Sequence, residues 1–168
     1  MKTNSKLMEM LTGYAAAHRH PVNIGVHLVG IPVIMFGVFV ALSWVSIGID
    51  GFTFDLAQLA VIILFVFYMT LDRIFALAFL LIAFPMALAA AAVGNLPSPV
   101  AGWIAAAAFF GGYLAQFIGH AVEKSAPVVI KHPIQANIAA PFFTIVEIFQ
   151  LLGLRQALFD EVQERISK

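Results

Sequence analysis

The sequence predicts an all-α integral membrane bundle of about four transmembrane helices, with interfacial helices at its N and C termini. Three observations carry this expectation. Of the 168 residues, 62% are hydrophobic and 11% charged, against roughly 45–50% and about 25% in soluble domains. Four long apolar runs each approach the roughly 20 residues that cross about 30 Å of hydrocarbon as a helix. The connections between them are short, which makes neighbours antiparallel. Nine basic and nine acidic residues cannot cover the surface of a soluble protein of this length, so lipid must solvate most of it. Residues 1–168 read as one membrane-embedded domain.

The elements follow in order. The N-terminal stretch "MKTNSKLMEMLTGYAAAHRHP" lacks the short apolar core and cleavage site of a signal peptide. It reads as an amphipathic segment kept on the protein. The first apolar run is Val26 to Gly48, and Pro21 suits the first turn of its helix. "IDGFTFD", with Gly51 as turn former, leads to the second and shortest run, Leu56 to Leu71. Asp72 and Arg73 separate it from the third, Ile74 to Val93. Pro85 should kink that run unless neighbours take up the lost hydrogen bond. "GNLPSP" leads to the fourth run, Val100 to Ile118. Small residues in "MALAAAAVG" and "AAAAFFGG" allow close helix approach. A last run, Ile134 to Leu154, is interrupted by Pro141 and Glu147. It reads as a helix at the interface or dipping into the bundle, followed by a polar tail.

With four spans, all nine basic residues fall on one side, while the opposite connections carry Asp50 and Asp55 and no base. The positive-inside rule then places both termini in the cytoplasm, and the bacterial inner membrane is the expected location. The chain has no cysteine, which excludes disulfides, thiolate metal sites, iron–sulfur clusters and cysteine nucleophiles. Zero net charge without a basic cluster argues against nucleic acid as a partner.

The same topology gathers all five histidines. His18, His20 and His27 lie at the mouth of the first span; His120 ends the fourth, and His132 follows. Asn23 and His27 share a helix face, as do Gln116, His120 and Glu123. Imidazoles with one carboxylate and no thiol suit Fe(II), Zn(II) or Mn(II). Glu123 is a candidate ligand or base, or instead an acceptor that fixes an imidazole tautomer. Asn23 and Gln116 can orient water or a substrate carboxylate. Tyr14 reads equally as an interfacial anchor or a catalytic phenol.

"YAAAHRHPVNIGVHLVGIP" and "QFIGHAVEKSAPVVIKHP" together resemble the two signatures of the membrane-embedded 2-hydroxy fatty acid dioxygenases of the fungal type and their bacterial relatives. The matching positions are Tyr14, His18, Pro21, Asn23, His27 and Gly30-Ile31-Pro32, then Gln116, Gly119, His120, Glu123 and Pro127. The resemblance covers nearly the whole chain. It implies an enzyme that uses Fe(II) and O₂ to shorten a long-chain 2-hydroxy fatty acid by one carbon, a step of fatty acid α-oxidation. It implies His18, His27, His120 and His132 as iron ligands, with His20 a weaker candidate. Glu123, Asn23, Gln116 and Tyr14 become the expected catalytic groups. Membrane lipid is the implied surrounding of the acyl chain, and a homo-oligomer is compatible with the sequence. Two other classes stay open on the residues alone: a small transporter or metal-binding membrane protein, and a zinc-dependent membrane hydrolase with Glu123 as base.

Overall fold

The computed structural model describes residues 5–17, 20–49 and 52–167. Within them the chain forms eight helices and one small hairpin. Helix α1 (Ser5–Ala17) precedes α2 (Pro21–Ser43). Strands β1 (Ser46–Ile49) and β2 (Phe52–Asp55) pair antiparallel, with Ser46 opposite Asp55 and Ile49 opposite Phe52. Then come α3 (Leu56–Met69), α4 (Arg73–Gly94) and α5 (Ser98–Glu123). The short α6 (Val128–Lys131), α7 (Pro133–Leu151) and α8 (Gln156–Ile166) complete the chain.

Helix starts follow local chemistry. Pro21 opens α2, and the ring of His20 accepts the Val22 N–H at 3.2 Å. Asp55 caps α3 through Gln58 N–H, and Asp72 caps α4 through the N–H groups of Ile74 and Phe75. Each satisfies donors that the first turn leaves unpaired. Helix α4 continues through Pro85 as one element.

Four helices are long and apolar enough to cross a membrane: α2, α4, α5 and α7. Their apolar windows are mostly unburied within the bundle. Large apolar side chains point outward along them, with Leu81 at 75%, Trp103 at 76% and Phe110 at 69% exposure. Such a surface belongs in hydrocarbon. The protein is thus an integral, multi-span membrane helical bundle.

Three of these helices correspond to sequence-predicted spans, with shifted ends. The first span stops at Ser43 rather than Gly48, because residues from Ser46 onward enter the hairpin. The second run forms only 14 helical residues, a rise of about 21 Å at ~1.5 Å per residue. The final run is helical for 19 residues from Pro133. From its first half to its last turn, however, it stays against the corner between α3 and α4: the Tyr68 hydroxyl donates to Ile138 O at 2.6 Å, and Phe75 meets both Phe142 and Phe149, with ring centroids 5.6 and 5.0 Å apart. Helix α7 therefore crosses the start of α4 instead of running along it. Beyond it, Arg155 pairs with Asp72 at 2.8 Å. Pro141 to Glu147 are buried without a break, so this part of α7 is covered on every face. Leu7, Met8 and Leu11 of α1 and Leu158 and Val162 of α8 belong to the same core cluster.

The pair α2 and α5 forms the main seam and positions the site. At Gly37, an added Cβ would lie 2.7 Å from Ala105 O and 2.8 Å from Phe109 N. The two backbones touch, which only a residue without a side chain permits.

Candidate functional site

The start of α2 and the end of α5 are tied by one carboxylate. Glu123 Oε1 accepts the backbone N–H of His20 at 2.9 Å. Its Oε2 accepts the Asn23 side-chain amide and, at 3.3 Å, the Ser125 hydroxyl. Asn23 is fully buried, and at Gly119 an added Cβ would come within 2.6 Å of Asn23 Oδ1. Residues a hundred positions apart thus form one polar knot at the helix ends.

This knot sets the histidines. His27 and His120 face each other edge to face, with ring centroids 5.0 Å apart. His27 Nδ1 lies 2.8 Å from the Asn23 carbonyl oxygen. A carbonyl can only accept, so Nδ1 carries the proton and the lone pair resides on Nε2. His120 Nδ1 lies 2.9 Å from Ser125 Oγ. Ser125 spends its proton on Glu123, so its oxygen accepts from His120 Nδ1–H. Both rings therefore share a tautomer, with the lone pair on Nε2. This is the arrangement in which metal-binding imidazoles are usually held.

A local backbone feature brings Ser125 back. Lys124 adopts the left-handed conformation, φ 57°, at the end of α5, and Ser125 N–H closes onto His120 O at 3.0 Å. This reversed turn returns the serine to the last helical turn.

His27 and His120 line one cavity of about 170 Å³, together with Tyr14 and Gln116. Its apolar walls include Ile31, Ile34, Met35 and Phe143. Gln116 Nε2 donates to Val26 O at 3.3 Å, and its buried Oε1 has no hydrogen-bond partner among the described residues. Tyr14 stacks on Phe143 at 4.0 Å and faces the Glu147 carboxyl. Burial raises its phenol well above the usual range, and the nearby carboxylates of Glu147 and Glu123 add to this. The phenol stays protonated and can act as a hydrogen-bond donor but not as a base.

The structure thus brings together Tyr14, Asn23, His27, Gln116, His120 and Glu123. Glu123 does so as an acceptor that holds other groups, with its oxygens turned to His20, Asn23 and Ser125. His18 lies outside the described residues. His132 is not brought to the pair: it is exposed at the junction where Pro133 starts α7, and it does not line the cavity. His20 caps α2. Among the described residues no group of three or more His, Asp or Glu is arranged around a common metal position. Sequence reasoning missed Ser125, whose only signal is a hydroxyl two residues beyond Glu123. It also took Glu147 for a mere interruption of an apolar run, although that carboxyl faces Tyr14 inside the core.

A membrane bundle that sets two tautomer-fixed imidazoles at the head of an apolar cavity has the form of a lipid-modifying enzyme. The chain belongs to the family described as 2-hydroxy-palmitic acid dioxygenase Mpo1-like, whose model matches residues 4–152. No curated protein and no solved structure matches it. The function is that of the family: an oxidoreductase of lipid metabolism, a dioxygenase of fatty acid α-oxidation that acts on a 2-hydroxy fatty acid within a membrane.

Proposed function

We propose that the enzyme is Fe(II)-dependent and that His27 and His120, together with His18, hold the iron at the head of the cavity. The observation that carries this reading is the pair of imidazoles that line one cavity, each with Nδ1 engaged by an acceptor. Two Nε2 donors without a thiol fit iron, and a third imidazole would leave positions open for substrate and oxygen. When bound, iron supplies O₂ activation and an anchor for the hydroxyl and carboxylate of a long-chain 2-hydroxy acid.

The chain's own residues do the rest. Gln116 Oε1, a buried acceptor lacking a donor, takes the hydrogen of the substrate hydroxyl; left unmet, such a group costs about 1–3 kcal/mol. Tyr14, held protonated, donates to the substrate carboxylate. Asn23, Glu123 and Ser125 keep both rings in one tautomer. Ile31, Ile34, Met35 and Phe143 keep water away from the reacting carbon. The bond between C1 and C2 breaks. The shortened acid, carbon dioxide and water account for every atom of one 2-hydroxy acid and one O₂. The substrate supplies all the electrons, so no nicotinamide or keto-acid cosubstrate is needed.

The site sits at the end of the bundle that faces the cytoplasm, with both termini on that side. The grouping of His20 with Glu123 and of Asp72 with Arg155 supports this, because it joins the basic connections at one end. Mass spectrometry of products from matched 2-hydroxy and plain fatty acids, with Fe(II), with and without oxygen, tests the chemistry. The expected result is a shortened acid from the 2-hydroxy substrate only, and only with oxygen. Equal turnover without oxygen would overturn it. H27A and H120A should each lose most bound iron while staying folded, and full iron occupancy in both would remove them as ligands.

A further inference from the structure

The cavity is too small for the substrate that the proposed function requires. A void of about 150 Å³ is filled by a six-carbon ring, and this cavity measures about 170 Å³. It takes the head of a 2-hydroxy acid and its first few carbons. The remaining methylenes must leave it.

The direction of exit is written along α5. Tyr113, Gln116, Phe117 and His120 all line the cavity at positions i, i+3, i+4 and i+7, one helix face. The cavity therefore follows α5 for about two turns, ~10 Å, from the imidazoles toward the middle of the span. Along this stretch its lining reaches the outside. Phe117 is 44% exposed and Val128 48%, and both also line the cavity. The seam between α5 and the α6–α7 corner is bridged there by the Tyr113 hydroxyl, which donates to Asn137 Oδ1 at 2.5 Å. Asn137 is pre-set for this contact, since its amide nitrogen donates to Pro133 O at 2.8 Å. Exposed Phe110 and Leu114 on α5 and Ile138 on α7 flank the bridge.

We infer that this seam is a lateral mouth through which the acyl tail of the substrate leaves the cavity into the bilayer, and that Tyr113 and Asn137 latch it. The inference rests on the proposed 2-hydroxy acid chemistry. An incoming long chain separates the two side chains. A 2-hydroxy acid short enough to fit inside needs no opening. The enzyme then reads the head group and the first carbons closely and the tail hardly at all.

The absence of cysteine makes a clean test. In the full-length, iron-loaded protein in lipid nanodiscs, the double variant Tyr113→Cys/Asn137→Cys is assayed before and after joining by a short bismaleimide. The single-cysteine variants receive the same reagent. Joining should lower turnover of 2-hydroxypalmitic acid by about tenfold or more and that of 2-hydroxyhexanoic acid by less than about twofold. Equal effects on the two acids would overturn the mouth. An independent arm uses 2-hydroxypalmitic acid with a diazirine at mid-chain, photolysed in the unmodified protein without oxygen. Label should map to the α5 surface around Phe110 and Leu114 and to α7 near Ile138. Label confined to α3 and α4 would overturn the mouth whatever the assay shows. If the unmodified protein shortens neither acid, the dioxygenase reading fails instead, while the label still reports where the chain lies.

Discussion

At the scale of single residues, the site depends on proton positions more than on charge. Ser125 is the hinge of this arrangement, since it relays the Glu123 carboxylate to His120. Ser125→Ala should weaken iron affinity by about 10- to 100-fold, the usual cost of losing the outer partner of a ligating histidine. Competition with a chelator measures it, and Ser125→Thr, which keeps the hydroxyl, should restore most of it. An unchanged affinity in Ser125→Ala would show that the relay holds nothing. Tyr14 offers a second check, through pH. Its folded pKa lies above the ordinary 10.0, so at alkaline pH the folded chain keeps a proton that the unfolded chain gives up. The stability it contributes is complete below pH 10.0 and is lost as pH rises toward the raised folded value. Thermal unfolding in micelles should show a steeper alkaline decline for the parent than for Tyr14→Phe.

At the scale of elements, two features decide whether the histidines meet. One is the left-handed turn at Lys124. A residue with a Cβ is strained there by about 1–2 kcal/mol, so Lys124→Gly should stabilise the fold by about 1 kcal/mol with the site intact. Lys124→Val, β-branched, should destabilise it and release Ser125. Thermal unfolding together with iron content separates the two. The other feature is the contact of α2 with α5 at Gly37. Gly37 lies ten residues from His27, about 15 Å along the helix. Gly37→Leu should nonetheless strip iron from the protein by prising α2 off α5. Iron retained in a folded Gly37→Leu protein would mean that the ends hold the site without the seam.

At the scale of the whole molecule, the bundle is asymmetric. One end carries the polar knot, the Asp72–Arg155 pair and the layer of α1, α7 and α8; the other carries the β1–β2 hairpin. The proposed topology puts the first end in the cytoplasm. In this cysteine-free chain, Thr53→Cys should react with an impermeant maleimide on intact cells, and Ser167→Cys only after lysis. The reverse pattern would invert the protein. A lateral mouth and a site at one end also suit a substrate that never leaves the bilayer.

What the amino-acid sequence determined by itself is what depends on local pattern and on solvent. Apolar runs of span length dictate helices in lipid, because backbone groups there must be satisfied within the segment. Pro21 set the start of α2, and the antiparallel order of the runs put His20, His27 and His120 at one end. The two motifs around Asn23–His27 and Gln116–Glu123 are legible in the sequence, and they meet at the candidate site. The hairpin was within reach as well: Asp50-Gly51 between β-branched and aromatic residues is a strong two-residue turn signal, masked here by the apolar run before it. Other features were settled only by tertiary structure. That Glu123 serves as an acceptor for His20, Asn23 and Ser125 depends on the approach of two distant helix ends. That α7 crosses α4 cannot be read from hydropathy, since a buried helix and a spanning helix are equally apolar. His132 looks like its fellow histidines in sequence and stands apart from them in space, because Pro133 begins a new helix and leaves the ring outside. A pattern reports the environment a residue needs, whereas its neighbours depend on how the helices pack.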